Sequence, residues 1–452
     1  MNRYGTIVFI RIEEEAMRYP DFIENPFPFP PFFRVQLPAS GPHIMDAAGA
    51  VKREMRAILP ESGIKGGNRV ALCVGSRGIH QLPVMIRAMC EEIKAVGAHP
   101  LILPAMGSHG GATAAGQGEV LERLGVTEAR CGAPVLSGMD TVQLGSVLGE
   151  VPVHYSADAF GMDHAITLNR IKPHTKFKAP LESGLLKMLC VGMGKHQGAL
   201  TWHHFALKFG FFELLSAMGE AVIERSNYRF GIGVVENAHE RLIAIEAVPA
   251  SRTRERETAL LEVAKAHFPR LPVREVDVLV IDHIGKEVSG AGMDPNVTGR
   301  GYDLGESDFS GNFRARRVAI LNLTENTAGN AIGLGNADFI TDKVFENLDY
   351  EKTVMNALTS NSIRKAFIPV RLPSDEKAIQ ACFTTIGPIA PGAVRAVIIR
   401  NTRHLSEFWA SGALRPELEK LPDVRLFENT PLRFDAMGNL CSLINTQESH
   451  II

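Results

Sequence analysis

Charge of one sign is missing from this 452-residue chain: 48 Lys and Arg stand against 50 Asp and Glu, a formal balance of -2. No run of Lys and Arg interleaved with aromatics occurs, so the electrostatic footprint of a nucleic-acid binder is absent and no such partner is expected. Cysteine is sparse. The six, at 73, 90, 131, 190, 382 and 441, fall without CxxC spacing, which argues against a zinc ribbon or a disulfide framework and for reduced thiols. No apolar run reaches the roughly 18 residues of a membrane span, and no basic n-region with an apolar h-region opens the sequence. The expectation is a cytoplasmic protein with no membrane partner.

What is present is ordinary globular material, 45% hydrophobic and 22% charged, long enough for two or three domains. Near the start, "ENPFPFPPFF" alternates Pro with Phe and cannot be helical, because Pro fixes φ and removes a donor; it reads as an extended arm packed over a neighbour. From Arg69, "RVALCVG", the amphipathic "LPVMIRAMCEEIKAVG" and "HPLILPAMG" give strand, helix, strand, a βαβ unit. Strands are expected at "VPVHYS", "HAITLNRI" and "FGIGVVE", with one long helix from about Gly198 to Arg225 and another over 252 to 268. After Pro and charge at 269 to 275, the pattern restarts with "VDVLVIDHIG", "RRVAILNLT", "KAFIPVRL" and "AVRAVIIR". The reading is an α/β fold of two α/β domains with largely parallel sheets, 1–270 (including a Pro/Phe-rich arm, 1–44) and 271–452, with the active site in the cleft between them.

In open parallel sheets ligands bind beyond the carboxyl ends of the strands. Three polar residues stand just past such ends: Arg77 in "VGSRG", His109 in "AMGSHGG" and His174 in "RIKPHT". Singly, each is as well explained as a loop histidine or a surface charge. Together they suggest a site: a guanidinium can hold a carboxylate through two parallel N–H bonds, and two imidazoles can serve as acid and base. Lys187 sits in the apolar run Gly184 to Met193. If buried it shifts toward the neutral, nucleophilic amine; if its stem packs while the ammonium reaches water, it is structural. In "WHH" at 202–204, adjacent helical positions point about 100° apart, so only one of His203 and His204 can face a given centre, where an imidazole can ligate a metal.

"GSRG", "GSHGGAT", "NRIKPHT", "ESGLLKMLCVGMGKHQGA" and "IGKEVSGAGMDPNVTGR" resemble the lactate racemase family of nickel-pincer-nucleotide enzymes, across roughly residues 45 to 345, most specifically from Asn169 to His204. The resemblance implies nickel and a pyridinium-3,5-bisthiocarboxylic acid mononucleotide joined to Lys187 through a thioamide, with His203 as the nickel ligand. It further implies that His109 and His174 are the acid/base pair, that Arg77 binds the substrate carboxylate, and that Ser183 and Gly184 lie near the cofactor phosphate. The implied reaction is inversion at C2 of a 2-hydroxy acid by reversible hydride transfer to the cofactor. Enzymes that make the cofactor would be transient partners, a preparation made without them would be apo, and a homodimer is expected. Where lactate racemase carries Asp-x-Thr-Arg-Pro this chain has "VGSRGI", and where that enzyme closes with a Tyr-Gln pair and a Lys it has "MDPNVTGRGY". Asp294, Asn296, Thr298 and Arg300 therefore become candidates for binding a substrate other than lactate, a dicarboxylic or sugar 2-hydroxy acid.

Other readings exist. "CVGMGKH" lacks the earlier Gly and the Ser/Thr of a Walker loop. His109, His174 and His203 could form an open zinc site of a hydrolase, which leaves Lys187 without a role. A non-catalytic protein binding a sugar acid or a nucleotide would leave Lys187 merely structural.

Overall fold

The computed structural model describes residues 17–38, 41, 43–302, 309, 311 and 313–441; the first 16 residues of the expected arm lie outside them. Strand β1 is Phe32–Gln36. Next come β2 (Arg69–Val74), β3 (His99–Pro104), β4 (Thr141–Val147), β5 (Val151–Ser156), β6 (His164–Arg170), β7 (Tyr228–Glu236) and β8 (Leu242–Pro249). The rest are β9 (Glu275–Ile284), β10 (Arg314–Leu323), β11 (Phe339–Thr341), β12 (Val370–Leu372), β13 (Ala396–Ile399), β14 (Glu407–Ser411) and β15 (Arg425–Thr430).

One sheet has the order β3-β2-β6-β7-β8, parallel throughout except for β7 against β8. Alternation along β2 explains its central place. Val70, Leu72 and Val74 pack with Met85, Ile86 and Met89 of the helix Leu82–Ala95, while Ala71 and Cys73 face a layer containing Leu186, Leu189, Trp202 and Met218. A strand covered on both faces reads as a continuous apolar run, as "RVALCV" does. The other sheet has the order β12-β11-β10-β9-β13-β14-β1-β15. Its pairs are parallel from β12 to β13 and antiparallel beyond. Along β9, Leu279 and Ile281 face one apolar layer and Val278 and Val280 the opposite one. The architecture is α/β with two large, largely parallel sheets, and among the described residues no helix is long and apolar enough to cross a membrane.

One local expectation changes and two gain detail. The arm joins the second sheet: β1 is hydrogen-bonded between β14 and β15, with Phe32, Phe33 and Val35 fully buried. Pro cannot donate to a ladder, so the strand starts only after Pro31, and the preceding Phe27 and Phe29 pack on Phe383, each with its ring centroid 5.6 Å away. The single long helix is two, Lys195–Phe209 and Phe211–Arg225. Gly210 separates them at φ 81, a conformation that costs a side-chain-bearing residue. "VPVHYS" is a strand, β5, yet it pairs with β4 in a separate hairpin and buries Val151, Val153 and Tyr155 against the Trp202 layer.

Candidate active site

Because β3, β2 and β6 are parallel neighbours, the segments after them leave from one edge of the sheet. They carry His109, Arg77 and His174 into the wall of one cavity, open to solvent on one side, with roughly 730 Å³ of empty space counted out through its mouth. Lys187 and His203 line the same cavity. The opposite wall comes from connections in the second sheet, with Lys286 two residues past the end of β9 and Asn356, Ser360 and Lys365 between β11 and β12.

Lys187 closes a short helical turn, Leu185–Lys187, which runs into a π-helical turn over Met188–Gly192. Its Nζ lies 2.6 Å from His174 Nε2 and over the Trp202 ring, 5.2 Å from the centroid. The partners of His174 decide what that short contact is. Its Nδ1 accepts the backbone N–H of Lys176 at 3.1 Å, so in the neutral ring the proton is assigned to Nε2. Nε2–H then donates to Lys187, which must accept. An ammonium has no acceptor, so the contact requires a neutral amine. The electrostatics agree: burial, then Arg77, lowers the Lys187 pKa to about 7. Burial also holds His174 and His203 well below the usual imidazole value, with neighbouring lysines contributing, and it lowers His109 to about 3 with help from Arg77.

The backbone of His174 is fixed from two sides. Its N–H donates to the buried Glu182 carboxylate at 2.7 Å, and its carbonyl accepts Asn296 Nδ2 at 3.1 Å. His203 is held through its carbonyl, which accepts Asn361 Nδ2 at 3.1 Å. His109 Nδ1 is hydrogen-bonded to Ser76 Oγ. Between the two helix-borne candidates, His203 faces the cavity while His204 is exposed. His203 Nδ1 is buried without a hydrogen-bond partner, a state that costs stability unless something fills it.

Arg77, Lys176, Lys187, Lys286 and Lys365 all line this cavity, and among the described residues no carboxylate does. Such a wall suits a polyanion. Burial, then Arg77, lowers Lys286 to about 8. The donor set fits a phosphate-bearing, carboxyl-derived nucleotide tethered at a lysine, with one imidazole free to ligate. A zinc site is less well provided. Among the described residues no three His, Cys, Asp or Glu side chains cluster closely enough to hold a metal ion.

Several expected site residues stand elsewhere. Ser183 and Gly184 do not line the cavity. Ser183 bridges to Lys172 through its carbonyl, and the amide of Leu186 just after Gly184 donates to buried Glu257 at 2.8 Å. The Leu186 N–H is thus committed to a carboxylate of the chain itself, and a Cβ on Gly184 would meet Glu257 Oε1 at 2.3 Å. Thr298 is fully buried. Arg300 spends its guanidinium on Asp338 and on the carbonyls of Asn336 and Ala315. Asn296 supports His174 from behind and does not line the cavity. Lys176, Lys286 and Lys365 escaped notice in the sequence. Lys286 was findable, since it follows a strand end as Arg77 does.

Trp202 is the platform under this constellation. It is fully buried, with ring centroids 4.9 Å from His203, 5.9 Å from His174 and 5.2 Å from Phe211. Trp202→Ala is expected to cost about 3–5 kcal/mol of stability, read as a lowered urea midpoint. A midpoint shift no larger than that of a surface alanine would contradict this packing.

No family model and no curated protein matches the chain. Among solved structures it is similar to a structural-genomics protein from Thermotoga maritima, at 14% identity over 63% of this chain and 72% of that one, TM-score 0.45. It is also similar to the lactate racemase apoprotein from Thermoanaerobacterium thermosaccharolyticum, at 12% identity over 75% of this chain and 87% of that one, TM-score 0.45. At TM-scores below 0.5 these likenesses carry no weight on function.

Proposed function

We propose that the protein is an isomerase that inverts C2 of a 2-hydroxy acid, with a nickel-pincer nucleotide attached at Lys187. The observation that carries this reading is the 2.6 Å approach of Lys187 Nζ to His174 Nε2, on a ring whose Nδ1 already accepts the Lys176 N–H, an arrangement that favours a neutral amine in a cavity walled by cations. A neutral lysine amine is a nucleophile at physiological pH, and nothing in a merely structural role asks for one. When bound, the nucleotide supplies a reversible hydride acceptor. His203 would hold the nickel through a ring nitrogen, and the cationic wall would hold the nucleotide's negative groups.

The chain's own residues supply the rest. Arg77 donates paired N–H bonds to the substrate carboxylate. His109, its pKa lowered by desolvation and by Arg77 so that the ring is uncharged at neutral pH, stands ready to take the hydroxyl proton, and His174, carrying its proton on Nε2, stands as the acid of the pair. Two are needed because the hydroxyl points opposite ways in the two enantiomers. Walls drawn from both sheets exclude water from the reacting centre. The setting we infer is cytoplasmic, with a small 2-hydroxy acid and, transiently, the cofactor-making enzymes as partners.

Co-production with pincer-nucleotide-making enzymes tests this. Intact-protein mass is expected to show a covalent adduct on Lys187. His203→Ala should keep the adduct and lose nickel, measured by metal analysis of the desalted protein. An unmodified wild-type chain, or nickel retained by the variant, refutes the assignment.

A further inference from the structure

A second cavity, open to solvent and with roughly 840 Å³ of empty space counted out through its mouth, shares Arg77 and Gly290 with the first. The partition between them is thin: a Cβ on Gly290 would lie 2.7 Å from Arg77 Nη2. No residue assigned above to attachment, metal or proton transfer lines it apart from Arg77. Its chemistry differs from that of its neighbour. Arg170 is paired with Glu236 and Arg403 with Glu240, so those four charges cancel. What remains is Arg77 and Lys172 against Glu287 and Asp294. Asp294 is oriented by Asn296, whose backbone N–H and Nδ2 both donate to it, at 3.0 and 2.8 Å.

We propose that this second cavity receives the far end of the substrate, and that the substrate is a polyhydroxylated acid rather than a dicarboxylate. The inference rests on the reading of Arg77 as the carboxylate anchor. A guanidinium in a shared wall can hold a carboxylate while the carbon chain extends past it. In a wall of balanced charge a hydroxyl finds both kinds of partner, because Lys172 donates to its oxygen and the carboxylates of Glu287 and Asp294 accept its proton. A second carboxylate finds Lys172 but also two like charges, a repulsion strengthened by partial burial.

Calorimetric titration of the purified protein with lactate, malate and a six-carbon aldonate tests the inference. Two or more added hydrogen bonds make the aldonate the tightest ligand, by about tenfold over lactate, with malate no tighter than lactate. Lys172→Met should erase the aldonate's advantage. Malate binding as tightly as the aldonate, affinity independent of chain length, or no binding by any of the three overturns the proposal. The mass measurement on Lys187 is independent. An adduct without length-dependent binding sinks the second cavity alone, and length-dependent binding without an adduct sinks the attachment alone.

Discussion

Lys187→Met is expected to abolish covalent attachment of the nucleotide and, in the same protein, to make the apo chain more stable. The substitution keeps an unbranched side chain of similar size and deletes the amine. In the folded protein that amine has its pKa lowered from 10.5 to about 7 by burial and Arg77. Between those values the unfolded chain binds a proton that the folded one does not, so stability falls as pH drops from about 10.5 to 7. The penalty is then fully present at pH 7 and below. One pKa unit corresponds to about 1.4 kcal/mol, and with allowance for water in the cavity the methionine variant should gain on the order of 3 kcal/mol at pH 7. That gain should shrink as pH approaches 10. Urea unfolding at two pH values measures it, and intact mass reads the attachment. An adduct on the variant, or a variant less stable than wild type at pH 7, would count against a buried neutral amine. Function bought at the expense of stability is common where a reactive group must be kept desolvated.

The sheets were legible because buried parallel strands announce themselves. "RVALCV", "VDVLVI" and "VAILNL" are apolar without alternation, and they are β2, β9 and β10. The strand-end rule then located Arg77, His109 and His174 without any contact information, since parallel strands deliver their C-terminal loops to one edge. What failed was long-range. Nothing in "FFRVQ" says which sheet will receive it; that depended on the gap between β14 and β15, some 370 residues away. Thr298 and Arg300 were polar residues beside a Gly, as a site often has, but Arg300 is consumed by Asp338, a partner 38 positions distant that sequence spacing cannot pair. Glu257, from a helix more than 70 residues on, takes the Leu186 amide two positions after Gly184, a pairing that spacing along the chain does not announce. The sequence left open whether Lys187 is buried or reaches water. In the structure it is half-buried at the cavity wall, with Nζ 2.6 Å from His174 Nε2.

His109→Asn is expected to lower turnover of the cofactor-loaded enzyme by about 10²–10⁴-fold, the range for loss of a general acid/base, while the adduct and nickel remain. The same substitution carries a second signature that a merely structural histidine in a wet loop would not give. Burial lowers the His109 pKa from 6.5 to about 3. Above pH 6.5 the ring is neutral in both states and costs nothing. As pH falls through the window from 6.5 to 3 the unfolded chain takes up a proton that the folded chain refuses, so stability drops with acid. Asparagine cannot titrate, and the variant should therefore lose less stability than wild type on passing from pH 7.5 to 4.5, by on the order of 2 kcal/mol. His174 and His203, depressed by the same burial, keep most of the acid sensitivity in place. Denaturation at the two pH values gives the difference directly, and racemisation followed by polarimetry gives the rate. A variant as acid-sensitive as wild type would place the ring in solvent, and one that still turns over near the wild-type rate would remove His109 from proton transfer; either result breaks the symmetry of two imidazoles on which inversion in both directions depends.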